Sequence, residues 1–381
     1  MLKRMFAIVV LVCICIRPLC VLSGAEDGLG LSADSAILVN ADTGEVVYEK
    51  NAYKQRGIAS TTKIMTSVLL LENKALSDEV TVKDEDVRVE GTSVGLKVDD
   101  VVSCDVLLKA MLLESGNDAA NVTATAVSGS IEAFSLLMNE KAKVLGMNNT
   151  SFRNPSGLTE KNHYSTAYDM ALLTRYAISN PDFRNVCSLK QTRVSYGNQS
   201  YERLFTNHNR LLDSYEGVFG VKTGFTKASG RCLVSACERN GVTLIAVTLK
   251  APDDWNDHKK LYDYGFQKSV KRTVDFNPDD INLSVVGSDK KNINVRLSSE
   301  LVYFSAKEIE TYTIIYCERF LYANVNCGDV VGRVEVRDNE NKLICESFLV
   351  SVEEALVNFE PKEKPPTLLE KLKNYKLQKD K

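Results

Sequence analysis

The 381-residue sequence predicts an α/β domain followed by a small all-β domain. Apolar runs with helical spacing occupy the middle of the first part, and β-rich runs precede and follow them. After about residue 270 the chain changes to short β-rich segments separated by Gly, Asn and Asp. The composition, 44% hydrophobic and 25% charged, is globular, and a formal net charge of −3 gives no reason to expect nucleic acid as a partner.

Residues 1–25 have the order of a secretory signal peptide. A short basic start, residues 1–5, precedes the uncharged apolar run 6–16, and residues 23–25 are small, as a signal peptidase requires. The apolar run is too short to span a bilayer comfortably, and an uncleaved anchor is the main alternative. We therefore expect an exported protein.

Cysteine and histidine usage gives little reason to expect a metal site. Ten cysteines are present, three of them within residues 1–25. The other seven are odd in number and contain no C-x-x-C pair, so neither a disulfide framework nor a zinc finger is indicated. We expect buried thiols, and pairing of Cys327 with Cys317 or Cys345 stays open. Three histidines without an H-E-x-x-H motif do not suggest a His-rich metal site.

The first domain, taken as residues 26–272, begins with strands and continues with helices. Two β-rich runs around residues 42–44 predict a hairpin. Apolar residues at helical spacing predict helices, the first with Ser60 at its cap position. Asn240-Gly241 between apolar runs predicts a second hairpin, so strands from both ends of the domain would close one sheet. The predicted elements are a hairpin over 35–50, helices over 60–72, 103–113, 117–127 and 131–145, and strands over 232–237 and 242–249.

The second domain, residues 273–360, is predicted to be all β, and residues 361–381 to be a linker and an amphipathic basic tail. The tail combines leucines on one helical face with seven lysines against three acidic residues in the last 21 positions. It would contact an anionic membrane surface or remain a frayed soluble end, and the sequence favours neither. The predicted strands of the domain are 292–297, 301–304, 311–316, 330–336 and 343–350.

The first candidate motif is Ser60-Thr61-Thr62-Lys63, an S-x-x-K at the start of a predicted helix. A spacing of three puts the lysine one turn from the serine on the same face. A serine hydroxyl needs a base to become a nucleophile, and a lysine with a lowered pKa can serve. A second S-x-x-K, residues 288–291, lies in polar sequence without a helix behind it, and we interpret it as surface.

The second motif is Ser115-Gly116-Asn117, at a tight turn between two predicted helices. The serine can pass a proton and the asparagine can bind a substrate amide. By itself the motif would rather indicate helix capping, for which Ser and Asn are favoured.

The third motif is Lys222-Thr223-Gly224, which opens a β-rich region. On an edge strand it offers a cation, a hydroxyl and a residue without a side chain, so that a substrate backbone can approach. A terminal carboxylate would bind such a lysine and threonine. The alternative is an exposed turn.

The three motifs in this order resemble the signature shared by class A β-lactamases and penicillin-binding proteins. The chain resembles most the serine-type D-alanyl-D-alanine carboxypeptidases, the low-molecular-mass penicillin-binding proteins, over roughly residues 30–360. Further similar stretches are 154–158, 163–167 and 222–230. The resemblance implies a serine β-lactamase/transpeptidase-like domain with a central antiparallel sheet flanked by helices, then a small all-β domain and an amphipathic tail.

The resemblance also implies roles for individual residues. Ser60 would attack the peptide bond between two terminal D-alanines, Lys63 would activate it, and Ser115 would relay a proton to the leaving amine. The backbone N–H groups of Ser60 and Phe225 would form the oxyanion hole. No metal or cofactor is implied. The groups expected to bind the peptide and its carboxylate are Asn117, Lys222, Thr223 and Gly224.

The implied substrate is a peptidoglycan stem peptide, the implied inhibitors are β-lactams, and the implied location is the cell wall at the outer face of the cytoplasmic membrane. Two departures put fine substrate preference in doubt. Ser156 stands where many relatives have a histidine, and residues 253–256 read Asp-Asp-Trp-Asn where many carry an arginine.

Four alternatives remain open from the sequence. A β-lactamase would need a deacylating group, for which Glu160 and Glu202 are candidates without a recognisable context. A D,D-endopeptidase would share the acyl-enzyme, and an inactive cell-wall binding protein would keep only the fold. An esterase is the least favoured, because the G-x-S-x-G around Ser93 has polar flanks instead of a strand and a helix.

Overall fold

The computed structural model describes residues 28–198 and 200–357. The expected signal peptide, residues 1–25, and the expected linker and tail, residues 361–381, lie outside the described residues. Among the residues described, no helix is long and apolar enough to cross a membrane. In chain order the strands are β1 (Ser35–Asn40), β2 (Val46–Lys50), β3 (Glu79–Thr81), β4 (Val101–Ser103), β5 (Gln191–Tyr196), β6 (Tyr201–Thr206), β7 (Val218–Thr226), β8 (Gly230–Arg239), β9 (Val242–Leu249), β10 (Val270–Thr273), β11 (Leu283–Val286), β12 (Asn292–Ile293), β13 (Val295–Leu297), β14 (Val302–Ser305), β15 (Thr311–Cys317), β16 (Leu321–Tyr322), β17 (Val330–Asp338) and β18 (Leu343–Ser351).

Three of the longer helices start at side chains that accept hydrogen bonds from the first turn. Ser130 caps a helix that the sequence predicted. Thr166, and Asn180 followed by proline, cap two helices that the sequence did not predict. Two short 3-10 turns, Ala59–Thr62 and Pro278–Asp280, and a π-helical turn, Ala110–Glu114, complete the set. In chain order the helices are α1 (Lys63–Asn73), α2 (Asp84–Val87), α3 (Cys104–Lys109), α4 (Asn117–Ser128), α5 (Ile131–Val144), α6 (Ala167–Ile178), α7 (Pro181–Ser188), α8 (Leu211–Ser214) and α9 (Asp254–Lys268).

A five-stranded antiparallel sheet with the strand order β2-β1-β9-β8-β7 forms the centre of the first region. Strands from both ends of this region meet where β1 pairs with β9, so the prediction of one sheet closed by both ends is confirmed. The second predicted hairpin is confirmed too. Asn240 and Gly241 both have positive φ angles, 50° and 78°, as a two-residue hairpin turn requires.

Helices cover both faces of this sheet, so its inner strands are apolar on both sides. Ile37 contributes to the larger core, which the helical middle of the chain builds on one face. Leu38 points to the opposite face, where Leu261 and Tyr262 of α9 pack against it. The helices of the larger core carry two of the three motifs, and β7 at the sheet edge carries the third.

Residues 283–355 build a separate hydrophobic core from short strands. Its largest sheet has the order β13-β18-β17-β15, which agrees with the predicted all-β region. The two regions touch at the turn between β1 and β2. The carboxylate of Glu45 accepts hydrogen bonds from the backbone N–H groups of Ala306 (2.8 Å) and Lys307 (2.9 Å). The Asn40 amide donates to the Phe304 carbonyl at 2.7 Å.

All seven cysteines in the described part of the chain are free thiols. Four are buried, as expected, whereas Cys317 and Cys327 are exposed and Cys345 is half-buried. Neither of the pairings left open by the sequence is formed in this structure.

Candidate active site

Ser60 lies in the 3-10 turn Ala59–Thr62 that leads directly into α1. The prediction that Ser60 caps this helix is wrong, because Thr62 is the N-cap residue of α1 and Ser60 lies two residues before it. Ala59 has a positive φ of 46°, and its carbonyl lies against Gly157, where a Cβ would be only 1.9 Å from the carbonyl oxygen. Because only glycine permits this approach, the loop around Gly157 fixes the turn that carries Ser60.

Lys63 lies beneath Ser60 and is fully buried. Its ammonium nitrogen, Nζ, is 3.1 Å from Ser60 Oγ, 2.7 Å from Asn117 Oδ1 and 2.8 Å from the Ser156 carbonyl oxygen. Burial lowers the pKa of Lys63 well below its ordinary value, and the nearby charge of Lys222 lowers it further, while Asp118 opposes this. A lysine in this environment favours its neutral form, which a general base requires.

Ser115 follows the π-helical turn and has the left-handed conformation, with φ +65°. The left-handed region is strained for a residue other than glycine and is common at functional sites. The turn directs the chain into α4, which begins at Asn117. The Asn117 amide donates to the Glu90 carbonyl at 2.6 Å while its oxygen accepts from Lys63. Among the residues described, the other amide N–H of Asn117 has no hydrogen-bond partner, so it could bind a ligand.

Lys222, Thr223, Gly224 and Phe225 all belong to β7, which is an edge strand of the central sheet, as predicted. A Cβ on Gly224 would lie 3.0 Å from the backbone nitrogen of Ser60, so the strand passes directly against the serine turn. Lys222 is 1% exposed and donates to the Thr223 carbonyl at 3.0 Å. Burial lowers the pKa of Lys222 to about 7.

A cavity of about 320 Å³ opens over these groups. Ser60, Ser115, Thr223, Gly224 and Phe225 line it, whereas Lys63, Asn117 and Lys222 are buried next to the lining residues. All eight residues singled out from the sequence therefore belong to one site. The complete lining is Ser60, Thr92, Ser115, His208, Arg210, Thr223, Gly224, Phe225, Arg231, Asp254 and Trp255.

Two supporting residues were not assigned a role from the sequence. His163 accepts from the Arg153 N–H through Nδ1 (3.1 Å), so Nε2 carries the proton and donates to Thr62 Oγ1 (2.9 Å). Burial lowers the pKa of His163 to about 4, which keeps the ring neutral. Asp118 accepts from the N–H groups of Val94 and Leu96, both at 3.1 Å, and so holds the loop over the cavity.

The other sequence candidates do not line this cavity. Ser93 is exposed in a loop without a preceding strand or following helix, and donates to Asp118 at 2.6 Å. Glu202 pairs with Arg193 on the β5–β6 hairpin, and Glu160 accepts from Asn154 at 3.0 Å. The second S-x-x-K ends in the exposed Lys291, with no helix behind it, as expected.

The fold and the site define a serine DD-peptidase of the penicillin-binding type, and comparisons with known proteins agree. Residues 23–253 match the family described as D-alanyl-D-alanine carboxypeptidase. The chain is 36% identical over 250 residues to D-alanyl-D-alanine carboxypeptidase DacF of Bacillus subtilis, covering 63% of this chain and 64% of that protein's length.

Two solved structures are similar. The DD-transpeptidase of Streptomyces has 32% identity and a TM-score of 0.60, covering 62% of this chain and 98% of that one. DacD of Francisella tularensis, a D-alanyl-D-alanine carboxypeptidase, has 26% identity and a TM-score of 0.59, covering 86% and 94%. The chain belongs to the D-alanyl-D-alanine carboxypeptidase family, whose members are serine hydrolases that act on peptidoglycan peptides and bind β-lactams.

Proposed function

We propose that this protein removes the terminal D-alanine from peptidoglycan stem pentapeptides through an acyl-enzyme on Ser60. The observation that carries the proposal is the 3.1 Å contact between Ser60 Oγ and the fully buried Nζ of Lys63. The rest of the site supplies the other groups that acyl transfer needs.

The surroundings of Lys63 select the form that can accept a proton. Two of its three contacts, the oxygens of Asn117 and the Ser156 carbonyl, can only accept hydrogen bonds from it. A neutral amine has two N–H donors and one lone pair. With both donors directed to those oxygens, the lone pair faces Ser60, whose hydroxyl can then donate its proton as it attacks.

The remaining groups would stabilise the charge that develops during the reaction, transfer a proton or hold the substrate. The tetrahedral oxyanion would be stabilised by the N–H groups of Ser60 and Phe225. The close approach of Gly224, the residue before Phe225, to the Ser60 backbone nitrogen supports this pairing. Ser115 would pass a proton to the leaving amine. The free amide N–H of Asn117 would bind the peptide carbonyl. Water would then hydrolyse the ester and release a stem peptide shortened by one residue.

The terminal carboxylate would lie near Lys222 and Thr223. Burial lowers the pKa of Lys222 to about 7, and a bound carboxylate would favour its charged form. Penicillins, which carry a carboxylate next to a reactive amide, would acylate the same serine.

The proposal includes the location and the division of the chain. A signal peptide over residues 1–25 would export the protein, and the tail 367–381 would contact the membrane surface. The catalytic domain would extend over residues 26–272 and the β-rich domain over 273–360. Separate hydrophobic cores support this division.

The test is release of D-alanine from a diacyl-Lys-D-Ala-D-Ala tripeptide by the purified full chain. We expect turnover by the natural sequence and none by Ser60→Ala. Persistent turnover in Ser60→Ala would refute the assignment of the nucleophile. Rapid hydrolysis of penicillin without D-alanine release would indicate a β-lactamase, and cleavage only of cross-linked peptides would indicate an endopeptidase.

A further inference from the structure

The cavity over Ser60 also contains a fixed cation that the proposed mechanism does not use. Arg231, at the start of β8, lines the same cavity as Ser60 and Thr223. In the ladder between β7 and β8 it lies directly opposite Phe225, two positions from Thr223. Cross-strand partners share a face of the sheet, and residues two apart on a strand do so too. Arg231 therefore lies on the same face of the sheet as Phe225 and Thr223.

The guanidinium of Arg231 is fixed by a nearly buried carboxylate. Its Nε and Nη2 donate to Oδ1 of Asp254 at 3.0 and 2.8 Å, and the Asp254 side chain is 4% exposed. The same oxygen accepts the Trp255 N–H at 3.0 Å, and the Trp255 ring centroid is 5.6 Å from the guanidinium carbon. The side chain is thus held from two directions at the first turn of α9.

This arrangement leaves the outer part of the guanidinium available. Arginine has five N–H donors, of which Asp254 takes two. The Arg231 side chain is 42% exposed. A fixed arginine with free donors is suited to a planar anion, because its fork matches the two oxygens of a carboxylate.

The charges of the cavity also favour an anion beside Arg231. Among the lining residues the charged side chains are Arg210, Arg231 and Asp254, and Asp254 is occupied by Arg231. Lys222, buried next to Thr223 on β7, adds a third positive charge when it is protonated. Arg210 is exposed at the start of α8, and Arg231 is the more fixed of the two arginines.

We propose that Arg231, oriented by Asp254 and Trp255, binds the free carboxylate of the substrate's terminal D-alanine and is the main determinant of selectivity for peptides that end in a free acid. The inference rests on the proposed function, and it assigns a task to residues 253–256, where the sequence departs from many relatives. Asp254 acts as a positioning residue, and the Trp255 ring forms an apolar wall beside the bound carboxylate.

The experiment compares two substrates that differ only at the carboxylate, diacyl-Lys-D-Ala-D-Ala and its C-terminal carboxamide. The natural chain should have a much higher kcat/KM for the acid. Arg231→Gln should lower kcat/KM for the acid by about 10- to 100-fold, the range for a charge-assisted hydrogen-bonded pair. The carboxamide should change by less than about threefold, because it carries no charge for the arginine to bind.

Arg239→Gln is the matched control, since it removes an arginine at the other end of β8 that does not line the cavity, and it should leave the acid-to-amide ratio unchanged. Arg210→Gln removes the other arginine of the cavity and should lower the ratio less than Arg231→Gln does. A larger loss of the ratio in Arg210→Gln than in Arg231→Gln would overturn the proposal. The double variant Arg231→Gln with Asp254→Asn removes the unpaired carboxylate that the single variant creates. The acid-to-amide ratio of the double variant should remain as low as that of the single variant. Recovery of the ratio would show that repulsion by Asp254 had caused the loss, and would overturn the proposal.

Penicillin labelling separates failure of this inference from failure of the proposed function. The natural chain and Arg231→Gln should both reach one label per molecule on Ser60 after long incubation. Full labelling with an unchanged acid-to-amide ratio would overturn the Arg231 assignment alone. No label on Ser60 in the folded natural chain would refute the proposed function itself.

Discussion

Both regions of the molecule bury charged side chains, but they surround them differently. In the first region Lys63 and Lys222 are 0% and 1% exposed, and neither has a carboxylate within ion-pair distance among the residues described. In the β-rich region the carboxylate of Glu335, 4% exposed, pairs with Arg333 at 2.7 Å and Arg337 at 2.5 Å.

The difference distinguishes a functional charge from a structural one. Removing a cation from water without a counter-ion is unfavourable for folding, and such groups are therefore concentrated at sites that use their shifted pKa. Glu335 is neutralised by its neighbours in the middle of a sheet. We infer that the two lysines are present for chemistry and Glu335 for the integrity of the β-rich region.

The largest expected effect is the loss of catalysis on replacing Lys63. Lys63→Met should lower the rate of Ser60 acylation by about 10³-fold, within the range for a lost general base. The measurement is the pseudo-first-order rate of penicillin labelling. The matched control is Lys291→Met in the other S-x-x-K, which should label at the natural rate. Equal labelling rates for the two variants would contradict the assignment of the general base to Lys63 in the first of the two S-x-x-K motifs.

Replacing Glu335 should have the opposite profile, with a loss of stability and no loss of activity. Glu335→Gln leaves two arginines without their shared partner, and we expect a decrease of about 1–2 kcal/mol in the free energy of unfolding, because both arginines are partly solvated. Denaturant unfolding measures the change. Penicillin labelling slower than about half the natural rate would contradict a purely structural role.

The effect of Lys222 on stability should depend on pH. Its pKa in the folded chain is about 7, below the ordinary value of 10.5, so between these values the unfolded chain binds more protons. The contribution of Lys222 to the free energy of unfolding therefore increases as the pH rises from about 7 to 10.5. Lys222→Met should be more stable than the natural chain below pH 7, and this advantage should shrink as the pH rises from about 7 toward 10.5. A constant or growing advantage would show that Lys222 is not a buried cation.

The smallest expected effect concerns Ser93. Its hydroxyl donates to Asp118 and accepts from the Gly95 N–H at 2.9 Å, which only supports an exposed loop. Ser93→Ala should acylate within about threefold of the natural rate, because surface hydrogen bonds contribute little. A loss comparable to that of Lys63→Met would revive the esterase interpretation.

Local signals predicted much of the fold and most of the site. The Asn240-Gly241 turn, the apolar spacing after Ser60 and the K-T-G on an edge strand each depend on nearby residues, and each prediction was correct. The three motifs occur far apart in the chain, and their order made the family resemblance visible.

Features that depend on distant contacts could not be read from local patterns. The Ser156 carbonyl reaches Lys63 across 93 positions, and it is a backbone group, so the replacement of a histidine there leaves the contact available. The left-handed Ser115 follows a π-helical turn that ordinary helical spacing does not indicate. The pairing of Arg231 with Asp254 joins the start of a strand to a helix 23 positions later.

The most direct test of the central claim, that Ser60 activated by Lys63 is the nucleophile, is peptide mapping of the full chain after reaction with penicillin. We predict one adduct per molecule, located on Ser60, that persists long enough to be isolated. An adduct on another residue, or none on protein shown to be folded, would contradict the account.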